Sequence, residues 1–241
     1  MRTLVLSDIH ANLTALEAVI KDAAKFDRVF CLGDVVGYGP DPNECISLLQ
    51  TLPQLNVIMG NHDAALCGII DIDRFNYEAR KALNIQALSI TAASRDWLEI
   101  LDLEKNLADI HMAHGSPREP IWEYLSTNFV ALENFRAFSN QICLVGHTHV
   151  PSIFELINAQ KVRLLIPEQG DLWRSAKRFI LNPGSVGQPR DGNPKASYAI
   201  YDDVESTWQF RRVGYDISAV QKRMRVLSLP IKHIERLERG V

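Results

Sequence analysis

Leu55-Asn56-Val57-Ile58-Met59-Gly60-Asn61-His62-Asp63 is a largely apolar run that stops at a glycine and continues at once in side chains able to bind metal or move a proton. That is the signature of a strand delivering chemistry from its C-terminal end. The pattern recurs four times. Ile142 to Val145 leads into Gly146-His147-Thr148-His149, Thr3 to Leu6 into Asp8-Ile9-His10, Arg28 to Leu32 into Gly33-Asp34, and Ala108 to Ala113 into His114-Gly115. The five segments are expected to converge on one binuclear metal site, with His62 beside the metals rather than on them.

Between these strand ends the apolar spacing predicts helices. Asn12 stands as an N-cap before Leu13, Leu16, Val19 and Ile20, and Pro42 fits the first turn of a helix carrying Ile46, Leu48 and Leu49. Strand, helix, strand, helix, strand is the order of a parallel sheet with right-handed crossovers. Residues 64–106 break that alternation, with helical spacing over 75–89 and 94–101 and no convincing long strand. This helical insertion lies between the third and fourth ligand segments. It is either a roof over the site or an ordinary crossover with a helical excursion. After His149 come strands separated by turns, at 152–157, 161–166, 178–181, 197–201 and 207–212. A helix over 216–227, capped by Asp216, and a short helical segment at 231–239 with Ile231, Ile234 and Leu237 on one face close the chain. A run of strands after a βα half implies an antiparallel or mixed second sheet. The expected fold is α/β, two packed mixed β-sheets flanked by helices, as a single domain over residues 1–241.

Composition narrows the function class. Lys plus Arg is 26 against Asp plus Glu 29, so no global field draws nucleic acid or an anionic membrane, which argues against a nucleic-acid partner. The four cysteines show no CxxC spacing, and Cys31 and Cys143 sit in strand-like apolar runs. Met1 leads directly into a strand rather than a secretory signal, and no apolar stretch approaches the roughly 20 residues of a membrane span. The expectation is a cytoplasmic protein with no membrane partner, and a homo-oligomer is left open.

The ligand count carries the chemistry. In extended backbone, residues i and i+2 project to the same side, which pairs Asp8 with His10 and His147 with His149. Asp34, Asn61 and His114 complete a set of two Asp, one Asn and four His. That is too many for one tetrahedral ion and right for two ions sharing a carboxylate. With no cysteine among them, the set suits two divalent ions, Mn, Fe, Zn or Co. Of the seven histidines only His111 and His233 stand apart. His111 is expected to face away from the site, and His233, in a basic C-terminal segment, to be exposed.

The ordered set Asp8-x-His10, Gly33-Asp34, Gly60-Asn61-His62-Asp63, His114-Gly115 and Gly146-His147-x-His149 resembles the calcineurin-like metallophosphoesterase superfamily. Gly37-Tyr38-Gly39-Pro40 and Asn182-Pro183-Gly184-Ser185 make it similar to the small bacterial and archaeal single-domain members. It departs at Gly37, where many members carry an Asp that is not a ligand. The resemblance implies that Asp8, His10 and His149 hold one metal and Asn61, His114 and His147 the other, with Asp34 bridging and manganese favoured. It implies hydrolysis of a phosphoester by in-line attack of a hydroxide bridging the metals. His62 is the candidate general acid, with Asp63 beside it to hold the imidazole charged.

The substrate implied is a small phosphoester or nucleotide, probed by Arg190 as a phosphate fork and by Tyr38 and Trp122 at the rim. A phosphodiesterase is the first expectation. A dinucleoside polyphosphate hydrolase or protein phosphatase would use the same site. A catalytically silent scaffold would share the fold, as the retromer subunit that resembles this family does, but would be expected to have lost ligands or the acid histidine. Neither is lost here.

Overall fold

The computed structural model describes residues 1–241. Its first half alternates β1 (Arg2–Leu6), α1 (Leu13–Ala23), β2 (Arg28–Cys31), α2 (Pro42–Gln50) and β3 (Leu55–Val57). The Asn12 side chain accepts from the Ala15 N–H and starts α1, and Pro42 opens α2 where its missing N–H costs nothing. The insertion follows as α3 (Asn61–Leu66), a 3₁₀ turn (Ile72–Arg74), α4 (Tyr77–Ala87) and α5 (Ala92–Glu99). A hairpin, β4 (Glu104–Leu107) and β5 (Ile110–Ala113), then leads to α6 (Asn128–Asn134) and β6 (Ile142–Leu144). The strand-rich part is β7 (Ser152–Asn158), β8 (Lys161–Leu165), β9 (Leu172–Trp173), β10 (Phe179–Asn182), β11 (Ala196–Asp202) and β12 (Thr207–Val213). Two helices, α7 (Ile217–Val226) and α8 (Ile231–Arg239), close the chain, and no helix is long and apolar enough to cross a membrane.

The strands form two mixed six-stranded sheets, ordered β3-β2-β1-β11-β12-β9 and β4-β5-β6-β10-β7-β8. Each contains a parallel trio, β1-β2-β3 in one and β5-β6-β10 in the other, flanked by antiparallel strands. The period-two alternation of each strand decides which layer it feeds. Val5 turns inward with Phe30, Trp208 and Phe210 against Ile142, Leu144, Phe179 and Leu181 of the other sheet, while Leu4 and Leu6 turn outward to α1 and α2. A buried side chain of this size contributes about 1.5–3 kcal/mol, so the inter-sheet layer holds the two trios in fixed relation. Both trios therefore present their C-terminal ends at the same edge of the sandwich.

Three local expectations need correction. β4 was not anticipated because Glu104-Lys105-Asn106 is a half-exposed edge pattern that becomes a strand only by pairing with β5. Ile231 is 58% exposed, and the buried face of α8 is His233, Ile234 and Leu237. His233 is thus buried rather than exposed, because α8 packs on α7 and α4 through that face.

Asn12 both caps α1 and donates from Nδ2 to the Gly187 carbonyl. Asn12→Ala is expected to cost about 1–2 kcal/mol, read as a lower urea midpoint at unchanged m-value.

Candidate metal centre

Every candidate ligand lies in a loop just past a parallel strand, or, for Asn61, at the first turn of α3. Five of the seven sit in the left-handed backbone region: Asp8, His10, Asp34, His147 and His149, with φ between 49° and 64°. Non-glycine residues avoid this region, and such strain collects at functional sites. It also replaces the extended-backbone argument for the two i, i+2 pairs. Asp8 and His10 converge, but His147 and His149 diverge into different clusters.

The first cluster is Asp8, His10, Asp34 and His149, and the second Asp34, His114 and His147. His10 Nε2 is 3.1 Å from His149 Nε2 and 3.6 Å from Asp34 Oδ2, and His149 Nε2 is 3.3 Å from Asp8 Oδ1. His114 Nε2 is 3.3 Å from Asp34 Oδ2 and 3.1 Å from Asn61 Oδ1, which brings Asn61 to the second cluster. All are almost fully buried.

The donor set fits divalent metal. The Nδ1 of His10, His114 and His149 faces the carbonyl of Val36, Leu32 and Gln188 at 3.0, 2.7 and 2.6 Å. A ring that donates from Nδ1 leaves its Nε2 lone pair for a cation, and here three such lone pairs converge beside two carboxylates. His147 Nε2 is buried without any partner.

Asp8 is set by Ser7 Oγ and the His147 N–H, both donating to Oδ2. Without metal, burial pushes the Asp8 carboxyl up to about 7. Burial pushes Asp34 the same way, but the adjacent His114, His62 and His10 outweigh it and hold the carboxyl well below its usual range. Burial opposes charge on His114, but Asp34 and Asp8 outweigh it and raise the imidazole to about 9, so the lone pair of its Nε2 is freed only when a metal displaces the proton there. Burial lowers His147 to about 3 and His10 and His149 well below the ordinary imidazole value, so these rings are neutral lone-pair donors.

His62 and Asp63 do different things from those their adjacency suggests. Because α3 starts at Asn61, successive side chains are turned about 100° from each other. Asp63 accepts from the Val36 N–H at 3.0 Å and the Gly60 N–H at 2.9 Å, so it locks the helix start to the neighbouring loop and makes no hydrogen bond to His62. The expected Asp63 support of a charged His62 is therefore corrected. The His62 N–H donates to Asp34 Oδ1 at 2.8 Å, while its ring stands among Tyr38, His10 and Phe75. Burial lowers it to about 4. Its Nδ1 has no partner and abuts Gly37, where a Cβ would come within 2.3 Å. Gly37 at the position of the family's Asp thus makes room for the ring.

A cavity of about 250 Å³ opens onto Asp34, Asn61, His62, His147 and His149. Tyr38, Trp122 and Arg190 line it too, as do Arg74, Phe75, Asn76 and Ala79 of the insertion and Tyr124. Arg190 is half-buried with no carboxylate in ion-pair distance; its Nη2 donates to the Tyr38 hydroxyl at 3.2 Å and Gln188 Oε1 at 3.4 Å, and Nε has no partner. Trp122 is covered by the Arg74 guanidinium at 4.4 Å and by Phe75, so its ring is engaged in packing. Tyr124 stacks on His147 at 4.1 Å and is 53% exposed. Arg74 and Phe75 were missed from sequence, since no local pattern distinguishes them from surrounding loop. A larger cavity, about 420 Å³, lies at the opposite end of the sheets among Arg28, Asp109 and Trp208 and holds none of the ligands.

Comparison with known proteins agrees with this geometry. The calcineurin-like phosphoesterase superfamily domain matches residues 1–206. The chain is 38% identical to the uncharacterized protein MJ0912 of Methanocaldococcus jannaschii, over 98% of this chain and 97% of that one. It is 27% identical to phosphodiesterase YfcE of Escherichia coli, covering 84% and 88%. A crystal structure of a metallophosphoesterase from Sphaerobacter thermophilus superposes with a TM-score of 0.92 at 44% identity, covering 100% of this chain and 99% of that one.

Because Asp34 belongs to both clusters, Asp34→Ala is expected to leave well under one ion per chain, and His149→Ala about one, by elemental analysis of reconstituted protein. Asp63→Ala strands two buried N–H groups and is expected to cost about 2–4 kcal/mol in urea unfolding.

Proposed function

The chain belongs to the calcineurin-like phosphoesterase superfamily, and from that premise we propose that this metallophosphoesterase is a dinuclear phosphodiesterase acting on small phosphoesters or nucleotides. The observation that carries the reading is Arg190, a half-buried guanidinium without a carboxylate in ion-pair distance, lining the same small cavity as the two ligand clusters. A cation partly withdrawn from water with no counter-charge beside it is a ready partner for an anionic ligand. Phosphate is the anion whose geometry a guanidinium fork matches.

Asp8, His10 and His149 would hold one divalent ion and Asn61, His114 and His147 the other, with Asp34 shared. Such a pair supplies an activated water and neutralises phosphoryl oxygens. The imidazole and oxygen set without thiolate suits Mn, Fe, Zn or Co, and manganese is the first choice on the family resemblance.

Arg190 binds a non-bridging phosphoryl oxygen and orients the ester, with Tyr38 accepting from its other edge. His62 turns Nδ1 to Gly37, so Nε2 is the edge left to carry a proton to the leaving oxygen. As the oxygen of water bonds to phosphorus, the ester P–O bond breaks and that oxygen takes a proton from His62, which acts as the imidazolium that the negative charge of a bound phosphoester beside it favours. Residues 64–106 serve as the roof, with Arg74 to Ala79 excluding water from one side of the cavity. The relation to YfcE, a phosphodiesterase, supports a diester substrate. The exposed face of Tyr124 suits a nucleobase.

A second reading, hydrolysis of a dinucleoside polyphosphate, is favoured by Arg74. Its guanidinium lies over Trp122 without an ion-pair partner, while the neighbouring Asp73 is engaged by Arg80. A substrate with charge beyond the scissile group would use it.

The manganese-loaded protein is expected to hydrolyse bis(p-nitrophenyl) phosphate faster than p-nitrophenyl phosphate, and faster monoester turnover would overturn the diesterase reading. His62→Ala should retain both metals and lose about 10²–10⁴-fold in kcat on an alkyl ester, with a much smaller loss when p-nitrophenolate leaves, since that group needs no proton. Arg190→Ala should raise KM for bis(p-nitrophenyl) phosphate about 10-fold.

A further inference from the structure

The family match ends at residue 206, and the helical hairpin α7–α8 lies beyond it. Its inner face, Val220, Met224, Ile234 and Leu237, packs on Ala82 of α4, so it leans on the roof of the site. The Gln221 side chain donates to the Ile234 carbonyl at 2.8 Å and ties the two helices into one body, and Lys232 pairs with Glu78 of α4.

Three further attachments go to the two loops that carry the substrate residues. The His233 ring lies 4.3 Å from that of Tyr38, on a residue that already packs against His10 and His62. Arg223 forks onto Asp41, at 3.0 and 2.8 Å, and reaches Thr14 Oγ1, fastening the same loop from below. The Gly192 N–H donates to the Gly240 carbonyl at 2.8 Å, two residues after Arg190. No hydrogen bond or ion pair runs from the hairpin to a candidate metal ligand.

This asymmetry has a functional consequence. Tyr38 and Arg190 come from loops 152 residues apart and meet through the Tyr38 hydroxyl and through the guanidinium over the Tyr38 ring at 5.7 Å, contacts that both depend on where that ring is held. A ring with room behind it could swing and release the guanidinium. His233 fills that space. It is buried with both nitrogens unpartnered, so it offers Tyr38 an aromatic surface and no competing hydrogen bond. Burial, with Arg236, His62 and Arg190 near it, lowers its pKa to about 3 and keeps the ring neutral.

We propose that α7–α8 is the positioning element of the substrate pocket and His233 its positioning residue, holding Tyr38 beneath Arg190 and so setting affinity for the anionic phosphoester without affecting metal binding. The proposal rests on the reading of Arg190 as the phosphate fork. A small displacement of an orienting group costs affinity or rate out of proportion to its size.

The test uses the full-length, manganese-loaded protein, with KM and kcat on bis(p-nitrophenyl) phosphate and calorimetric titration of inorganic phosphate. His233→Ala should raise KM and the phosphate Kd about 5–10-fold, with kcat within about 2-fold and metal content unchanged. His233→Phe, which keeps a ring behind Tyr38, should restore both constants. If His233→Ala does not fold, Arg223→Met is measured in its place and should raise the same two constants. Unchanged KM and Kd in the folded variant, a loss confined to kcat, or a Phe variant as impaired as Ala would overturn the proposal. Arg190→Ala separates the two readings. If it leaves the phosphate Kd unchanged, the reading of the site fails and this inference with it. If it weakens phosphate while His233→Ala does not, only the inference fails.

Discussion

The Asp34 carboxylate is the point on which the two halves of the molecule meet. One oxygen accepts the His62 N–H at the start of α3, and the other lies 3.3 Å from His114 and 3.6 Å from His10. These partners come from both sheets, so the carboxylate can be shared only while the inter-sheet core of Val5, Phe30, Trp208 and Phe179 keeps the trios aligned. Burial would favour the neutral acid, and the surrounding imidazoles reverse that preference. A single anionic group thus serves both clusters, which is what a dinuclear centre requires of a bridging ligand.

The backbone around it stores the cost of convergence. Left-handed φ values at Asp8, His10, Asp34, His147 and His149 are each unfavourable for a residue with a Cβ. They persist because the strand ends are over-determined by core packing and because carbonyls of neighbouring loops take up the imidazole N–H groups. The same crowding explains Gly37. Its lack of a side chain lets the His62 ring approach, and any larger residue would displace that ring.

The proposed substrate residues rest on a different set of contacts. Arg190 and Tyr38 rest on loops braced by α4 and the closing hairpin, through Gln86, which accepts from the Gly37 N–H and donates to the Gly39 carbonyl, and through His233. The candidate metal ligands draw on strand ends, whereas the proposed substrate residues draw on helices added around them.

The sequence by itself determined the α/β sandwich, the five strand ends and the residue types that meet there, because apolar periodicity and post-strand glycines are local signals. Asn12 and Asp216 were legible as caps for the same reason. Only the tertiary structure decided what depends on neighbours distant in the chain. It turned Asp63 away from His62 onto two backbone N–H groups, because a helix begins at Asn61. It buried His233 behind Tyr38 by packing α8 on α4, and it paired the polar Glu104–Leu107 segment with β5. The division of His147 and His149 between the two clusters, which the family resemblance implied, has its physical reason only in the structure, where left-handed turns re-aim each side chain.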